Sequence, residues 1–105
     1  MYISRNPKQW NAFLEMLRTS VAEGREEDLL TLLLTPDERD VLGLRMQIVY
    51  QLLAKRAPQR EILQNLNTSA ATITRGSNML KTMPYEFVNW IREELIKQGP
   101  SEDRE

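Results

Sequence analysis

Cysteine and histidine are both absent from this 105-residue chain. Without cysteine there is no disulfide and no thiolate metal site, which suits a cytoplasmic protein. Without histidine, the commonest general base and the commonest transition-metal ligand are missing together. An enzyme built on this chain would have to work with carboxylates, lysine or hydroxyls. The sequence offers no nucleophile–base pair, no glycine-rich phosphate loop and no clustered metal-binding carboxylates. The expectation is therefore a non-enzyme with no catalytic residues, no metal and no cofactor. The start, Met1 to Trp10, lacks a basic-then-apolar targeting pattern. Long apolar runs are missing too: Leu29 to Leu34 is interrupted by Thr31 and far too short to span a bilayer. A soluble, cytoplasmic protein with no membrane partner is expected. Internal repeats and low-complexity segments are absent as well.

What is present is an ordinary globular mixture, 41% hydrophobic and 28% charged. The length suits a single domain over 1–105, small enough for dimerisation to be a natural way of extending its core. The net charge of −1 is unevenly spread. Between Lys55 and Lys81 lie Lys55, Arg56, Arg60, Arg75 and Lys81 against Glu61 alone, so this window carries +4 and the remainder −5, much of it from Glu86 onward. Local charge, not the total, sets the field that a phosphate backbone meets. Alone, such a window is more readily a solvated basic face.

Every long segment reads as helix, so the fold class is all-α. Trp10, Phe13, Leu14, Leu17 and Val21 form one apolar stripe of a helix beginning near Pro7. Gly24 and the charges Arg25 to Asp28 interrupt it, and a brief helix over Leu29 to Leu34 follows. In Thr35-Pro36-Asp37-Glu38, Thr35 fits the N-cap, Pro36 the first helical position and Glu38 the return bond of a capping box. The third helix should run from Pro36 to Lys55. Its apolar residues Val41, Leu42, Leu44, Met46, Ile48, Val49, Leu52 and Leu53 cover more than one face, as in a central helix that also meets a partner subunit.

Pro58 can open a helix from Gln59 to about Asn65, with Ile62 and Leu66 inward. Asn67, Thr68 and Ser69 make a polar corner. A helix from Ala70 to Leu80 follows, with Ile73 and Leu80 as its apolar side. Pro84 starts the last helix, carrying Phe87, Val88, Ile91 and Leu95 inward with Trp90 beside them. Gly99-Pro100 stops it, and 101–105 reads as a disordered acidic tail. The stretch 58–81 thus has the proportions of a helix-turn-helix, whose second helix enters the major groove while the first crosses the backbone. Small residues at its leading edge, Ala70, Ala71 and Thr72, let a helix approach base edges closely. Thr72, Thr74, Ser77 and Asn78 can contact phosphates, and Arg60 can reach a guanine edge bidentately. Two short helices with such a corner also occur in many helical proteins, so spacing alone leaves DNA binding and plain helical packing both open.

Three strings go further. Leu32-Leu33-Leu34-Thr35-Pro36-Asp37-Glu38-Arg39, Gln59-Arg60-Glu61 and above all Ala71-Thr72-Ile73-Thr74-Arg75-Gly76-Ser77-Asn78 resemble the tryptophan repressor family of enteric and related bacteria, from about Trp10 to Lys97. The resemblance implies an intertwined homodimer of six helices per chain. With L-tryptophan bound as corepressor, it would occupy operator DNA of tryptophan-biosynthesis genes. Arg45 and Arg75 would then sandwich the indole ring, since guanidinium planes stack on it and are drawn to its π face. Arg75 would also pair with the carboxylate, helped by the Thr35 hydroxyl, and Gly76 would leave room for the ring. Backbone carbonyls near Leu32 and Leu34 of the other subunit would receive the ammonium group, because the last carbonyls of a helix lack partners. On the DNA side, Arg60 carries over as a guanine contact, Ala70, Ala71 and Thr72 as the reading edge, and Gln59, Thr74 and Lys81 as backbone contacts, with Asn78 beside them.

The chain departs from the family pattern at three positions. Met79 stands where the family's best-known member has a serine whose hydroxyl meets the ammonium. The carbonyls remain, so binding should persist with a loss of about 1 kcal/mol, the worth of one hydrogen bond. Leu63 replaces a lysine often found facing DNA, which should soften the salt dependence of binding. Ala70 is smaller than the usual isoleucine, so operator preference shifts. Met79 also leaves open a tryptophan-independent helix-turn-helix regulator of the same fold. A structural dimer module is the other alternative, and it would leave the basic window unused.

Overall fold

A computed structural model describes residues 5–55, 61, 66 and 68–99. All regular structure among them is helical: α1 Pro7–Ala22, α2 Glu26–Leu33, α3 Pro36–Tyr50 with a π-helical turn Gln51–Lys55 at its end, α4 Ala70–Thr82 and α5 Tyr85–Gln98. Glu61 and Leu66 also have helical backbone. The all-α class expected from periodicity is the class observed. The rest of the expected helix Gln59 to Asn65, the corner residue Asn67 and the tail 101–105 lie outside the described residues. The chain divides into two units after Asp40, so α3 starts in one and ends in the other. No helix among the described residues is long and apolar enough to cross a membrane.

The first unit is built on α1. Asn6 caps it, with Oδ1 accepting the Gln9 N–H at 3.1 Å, and Pro7 takes the first position. The second helix begins at Glu26, three residues before the apolar run. Glu26, Glu27 and Asp28 fill its first turn, where carboxylates meet the positive end of the helix dipole. The charges read from sequence as an interruption are thus the helix start. With eight residues against sixteen, α2 is about 12 Å long beside the roughly 24 Å of α1. It packs against α1, on whose stripe Phe13, Leu14 and Leu17 are half-buried. Trp10 and Val21, at the two ends, stay exposed. Ser20 is the buried side chain of this unit, and among its described residues no large apolar side chain is fully buried.

The capping box at the head of α3 forms as predicted. The Thr35 hydroxyl accepts the Glu38 N–H at 3.1 Å, and Glu38 Oε1 accepts the Thr35 N–H at 2.8 Å. Replacing Thr35 with alanine should cost about 1 kcal/mol in a urea titration, whereas Glu38→Gln, which can still accept the return bond, should cost less. An unchanged midpoint for Thr35→Ala would mean that the box contributes nothing.

The regular helix ends at Tyr50, not at Lys55, and widens into the π-helical turn, which closes its hydrogen bonds one residue further along. Gln51 and Leu53 are both buried there, and the turn packs against α5, where Leu95 is buried. Along α3, Ile48 and Tyr50 are buried, but Val41, Leu42 and Met46 are exposed. The burial on several sides expected of this helix is met in its last turn, where Ile48 and Tyr50 face nearly opposite ways, and not in its first turns.

The core of the second unit is the pair Ile48 and Ile73, both fully enclosed, with Leu44, Leu52 and Leu66 packed around them. The fourth helix runs two residues past Leu80. It stops at Met83, which is extended (ψ 151°) because the ring of Pro84 disfavours helical backbone before it. The last helix starts at Tyr85 and ends at Gly99, whose φ of +73° and ψ of 177° belong to a region reached essentially by glycine alone. Leu95 is buried and Val88 and Ile91 are half-buried, as expected. Phe87 and Trp90 instead lie exposed, their rings 5.8 Å apart. Both sit in the half of α5 away from Leu95.

Candidate ligand site and nucleic-acid interface

Local chemistry fixes the start of α4. The Ser69 hydroxyl accepts the Thr72 N–H at 3.2 Å and lies 2.8 Å from the Thr72 hydroxyl. Serine is among the best N-caps, a signal present in the sequence but read there only as part of a turn. With Ile73 and Leu80 turned inward, 3.6 residues per turn place Ala70, Thr74, Asn78 and Lys81 on one exposed stripe. Arg75 and Met79 form a second exposed stripe about a third of a turn round the axis, with the half-buried Gly76 at its margin. Ala71 is exposed between the two. Thr72 lies off the first stripe, half-buried and engaged in the cap. The helix contains no carboxylate; Arg75 and Lys81 are its charges.

The side of α4 that meets α3 is carried by Ile73 and Gly76, at the edge of the second stripe. A Cβ added to Gly76 would meet Ile48 Cγ2 at 3.1 Å, so the missing side chain is what lets the two helices approach. Arg45 precedes Ile48 by three residues, one turn back on the same side of α3, and is exposed. Arg45, Arg75, Gly76 and Met79 thus belong to one unit, on the two helices that meet at Ile48 and Gly76. Periodicity had no means of finding Ile48 as the residue that seats Gly76.

Leu32, Leu34 and Thr35 belong to the other unit, at the junction of α2 and α3. Leu32 is 79% exposed, and Leu34, half-buried, closes α2 by donating its N–H to the Leu30 carbonyl at 2.9 Å. Carbonyls of this last turn have no donor further along the helix. Thr35 accepts in the capping box and keeps its own hydroxyl hydrogen to donate. Gln59, Arg60 and Leu63 lie outside the described residues.

The sequence profile of a family described as Trp repressor protein matches residues 8–95. The chain belongs to the Trp repressor family. Three relatives, each named Trp operon repressor homolog, are similar over nearly their whole length. That of Pasteurella multocida is 70% identical over 99 residues, 94% of this chain and 97% of the relative. The protein of Actinobacillus succinogenes is 66% identical over 101 residues, 96% of this chain and all of the relative. In Mannheimia succiniciproducens the figure is 68% over 92 residues, 88% and 91% of the two chains. A Trp repressor family member is a transcriptional regulator and not an enzyme. The matched region spans α1, the capping box at Thr35, the Ile48–Gly76 crossing and both stripes of α4.

Proposed function

We propose that this chain is an L-tryptophan-activated repressor that binds, as a homodimer, operator DNA of tryptophan-biosynthesis genes. The observation that carries the reading is the division of α4 into two exposed stripes. One is narrow, small and basic at its end (Ala70, Thr74, Asn78, Lys81), suited to a groove and its phosphates. The other carries Arg75 beside Gly76, which seats on Ile48 of α3; with Arg45 one turn back on that helix, an indole carboxylate would find two guanidinium planes and a positive charge for its acid group.

Arg60 and Gln59 would add a guanine contact and a backbone contact from the preceding helix, and Thr35 a hydroxyl for the carboxylate. Carbonyls at Leu32 and Leu34 of a second subunit would take the ammonium. Dimerisation accounts for the open apolar faces: Val41, Leu42 and Met46 on α3, Phe87 and Trp90 on α5, and an α1–α2 unit with no fully buried large apolar side chain among its described residues. A protein of this kind works in the cytoplasm.

Tryptophan wedged against α4 would hold both reading heads outward, in register with successive major grooves about one helical turn apart, a spacing established on dimers that include the Trp repressor itself. Ligand and operator then favour one arrangement, and each tightens the other by the same factor. Mobility-shift titrations of a tryptophan-biosynthesis operator should show affinity rising with L-tryptophan, and calorimetry should show tryptophan binding tightened equally by operator. Operator affinity unchanged at saturating tryptophan would sink the corepressor reading and favour the tryptophan-independent regulator that Met79 allows.

A further inference from the structure

The contact between Ile48 and Gly76 has a consequence for the ligand site, and the inference rests on the tryptophan reading above. We propose that Ile48 is a positioning residue: its Cγ2 methyl, seated against Gly76, sets how closely α4 approaches α3, and so the gap between the Arg45 and Arg75 guanidinium planes. A Cβ at position 76 would stand 3.1 Å from that methyl, inside the 3.4–4 Å of ordinary van der Waals contact, so something must move by a few tenths of an ångström. Ile48 cannot supply the movement. It is 1% exposed, packed with Ile73, Leu44, Leu52 and Leu66, and its branched β-carbon holds χ1 in one well. The adjustment therefore falls on α4, which carries Arg75 at the very next position.

An aromatic ring between two planes needs them about 7 Å apart, two contacts at optimal distance. A radial gap of about 0.5–1 Å already forfeits a quarter to a half of each contact's attraction, so small helix displacements are felt in ligand affinity. Arg45, one turn from Ile48, is carried by α3. Arg75 moves with α4. The methyl thus acts on the ligand without touching it.

The experiment is a calorimetric titration of L-tryptophan into the full-length protein and its Gly76→Ala, Ile48→Leu and Ile48→Val variants, with both double combinations. Leucine keeps the volume of isoleucine but removes the Cγ2 branch, whereas valine is smaller yet keeps it. Gly76→Ala should weaken tryptophan about tenfold, the scale of a directly coupled pair. Its thermal midpoint should fall, because displacing a packed helix costs more than the better helix former returns. Adding Ile48→Leu should restore affinity to within about twofold; adding Ile48→Val should not, although it makes more room.

Restoration by valine as good as by leucine, or Gly76→Ala binding like the parent, would overturn the proposal while leaving the corepressor reading intact. A parent protein giving no heat with tryptophan would overturn both. If Gly76→Ala does not fold, Ile48→Leu alone carries the test, with tryptophan binding expected to weaken at least threefold; binding equal to the parent would overturn the proposal.

Discussion

Replacing Ile73 with alanine is expected to lower the unfolding free energy by about 2–5 kcal/mol, the cost of a large-to-small change in a site that cannot collapse. Ile73 has no measurable exposure, and the residue it meets, Ile48, has 1%. Both are pinned from opposite helices, so the cavity would be closed only by pulling α3 and α4 together against their remaining side chains. A domain of this size is stable by about 5–15 kcal/mol, so the loss is a substantial part of the whole. Urea titration should show a lower midpoint with little change in slope, because the surface exposed on unfolding hardly alters. Ile73→Val, which removes a single methyl group, should cost about 0.5–1.5 kcal/mol. A midpoint for Ile73→Ala within error of the parent would place the core elsewhere.

The second large effect concerns the ligand. Arg75→Ala should weaken L-tryptophan by about a hundredfold or more, since it removes a charged hydrogen-bonding partner and a stacking plane together. The side chain is exposed, so the thermal midpoint should stay near that of the parent. That contrast separates it from Ile73→Ala, whose effect is on stability. Arg75→Lys keeps the charge but not the plane, and should recover only part of the affinity. In mobility-shift assays, Arg75→Ala should retain weak operator binding that no longer responds to tryptophan. Tryptophan binding equal to that of the parent would remove Arg75 from the site.

Much of this architecture can be read from local chemistry. The capping box at Thr35 and Glu38 was predictable because each partner sits within three residues of the other. The inward side of α4 at Ile73 and Leu80 follows from helical spacing. Where reading failed, a competing term won. The acidic run Glu26 to Asp28 looked like a break, yet carboxylates favour a helix start as readily as a loop. Ser69 was taken for a corner residue when it caps the next helix. Trp10, Val21, Phe87 and Trp90 fit apolar stripes but lie uncovered, because periodicity assigns a face without saying what covers it. The seat of Gly76 on Ile48 joins residues 28 positions apart, beyond the reach of any local pattern.

The two stripes of α4 belong to one rigid rod, and heredity cannot treat them separately. If the stripes serve effector and operator as proposed, a change that turns α4 to re-aim the Arg75 edge would turn the Ala70–Lys81 edge by the same angle. Selection for a new signal would therefore be paid in target sites, and selection for new targets in the signal.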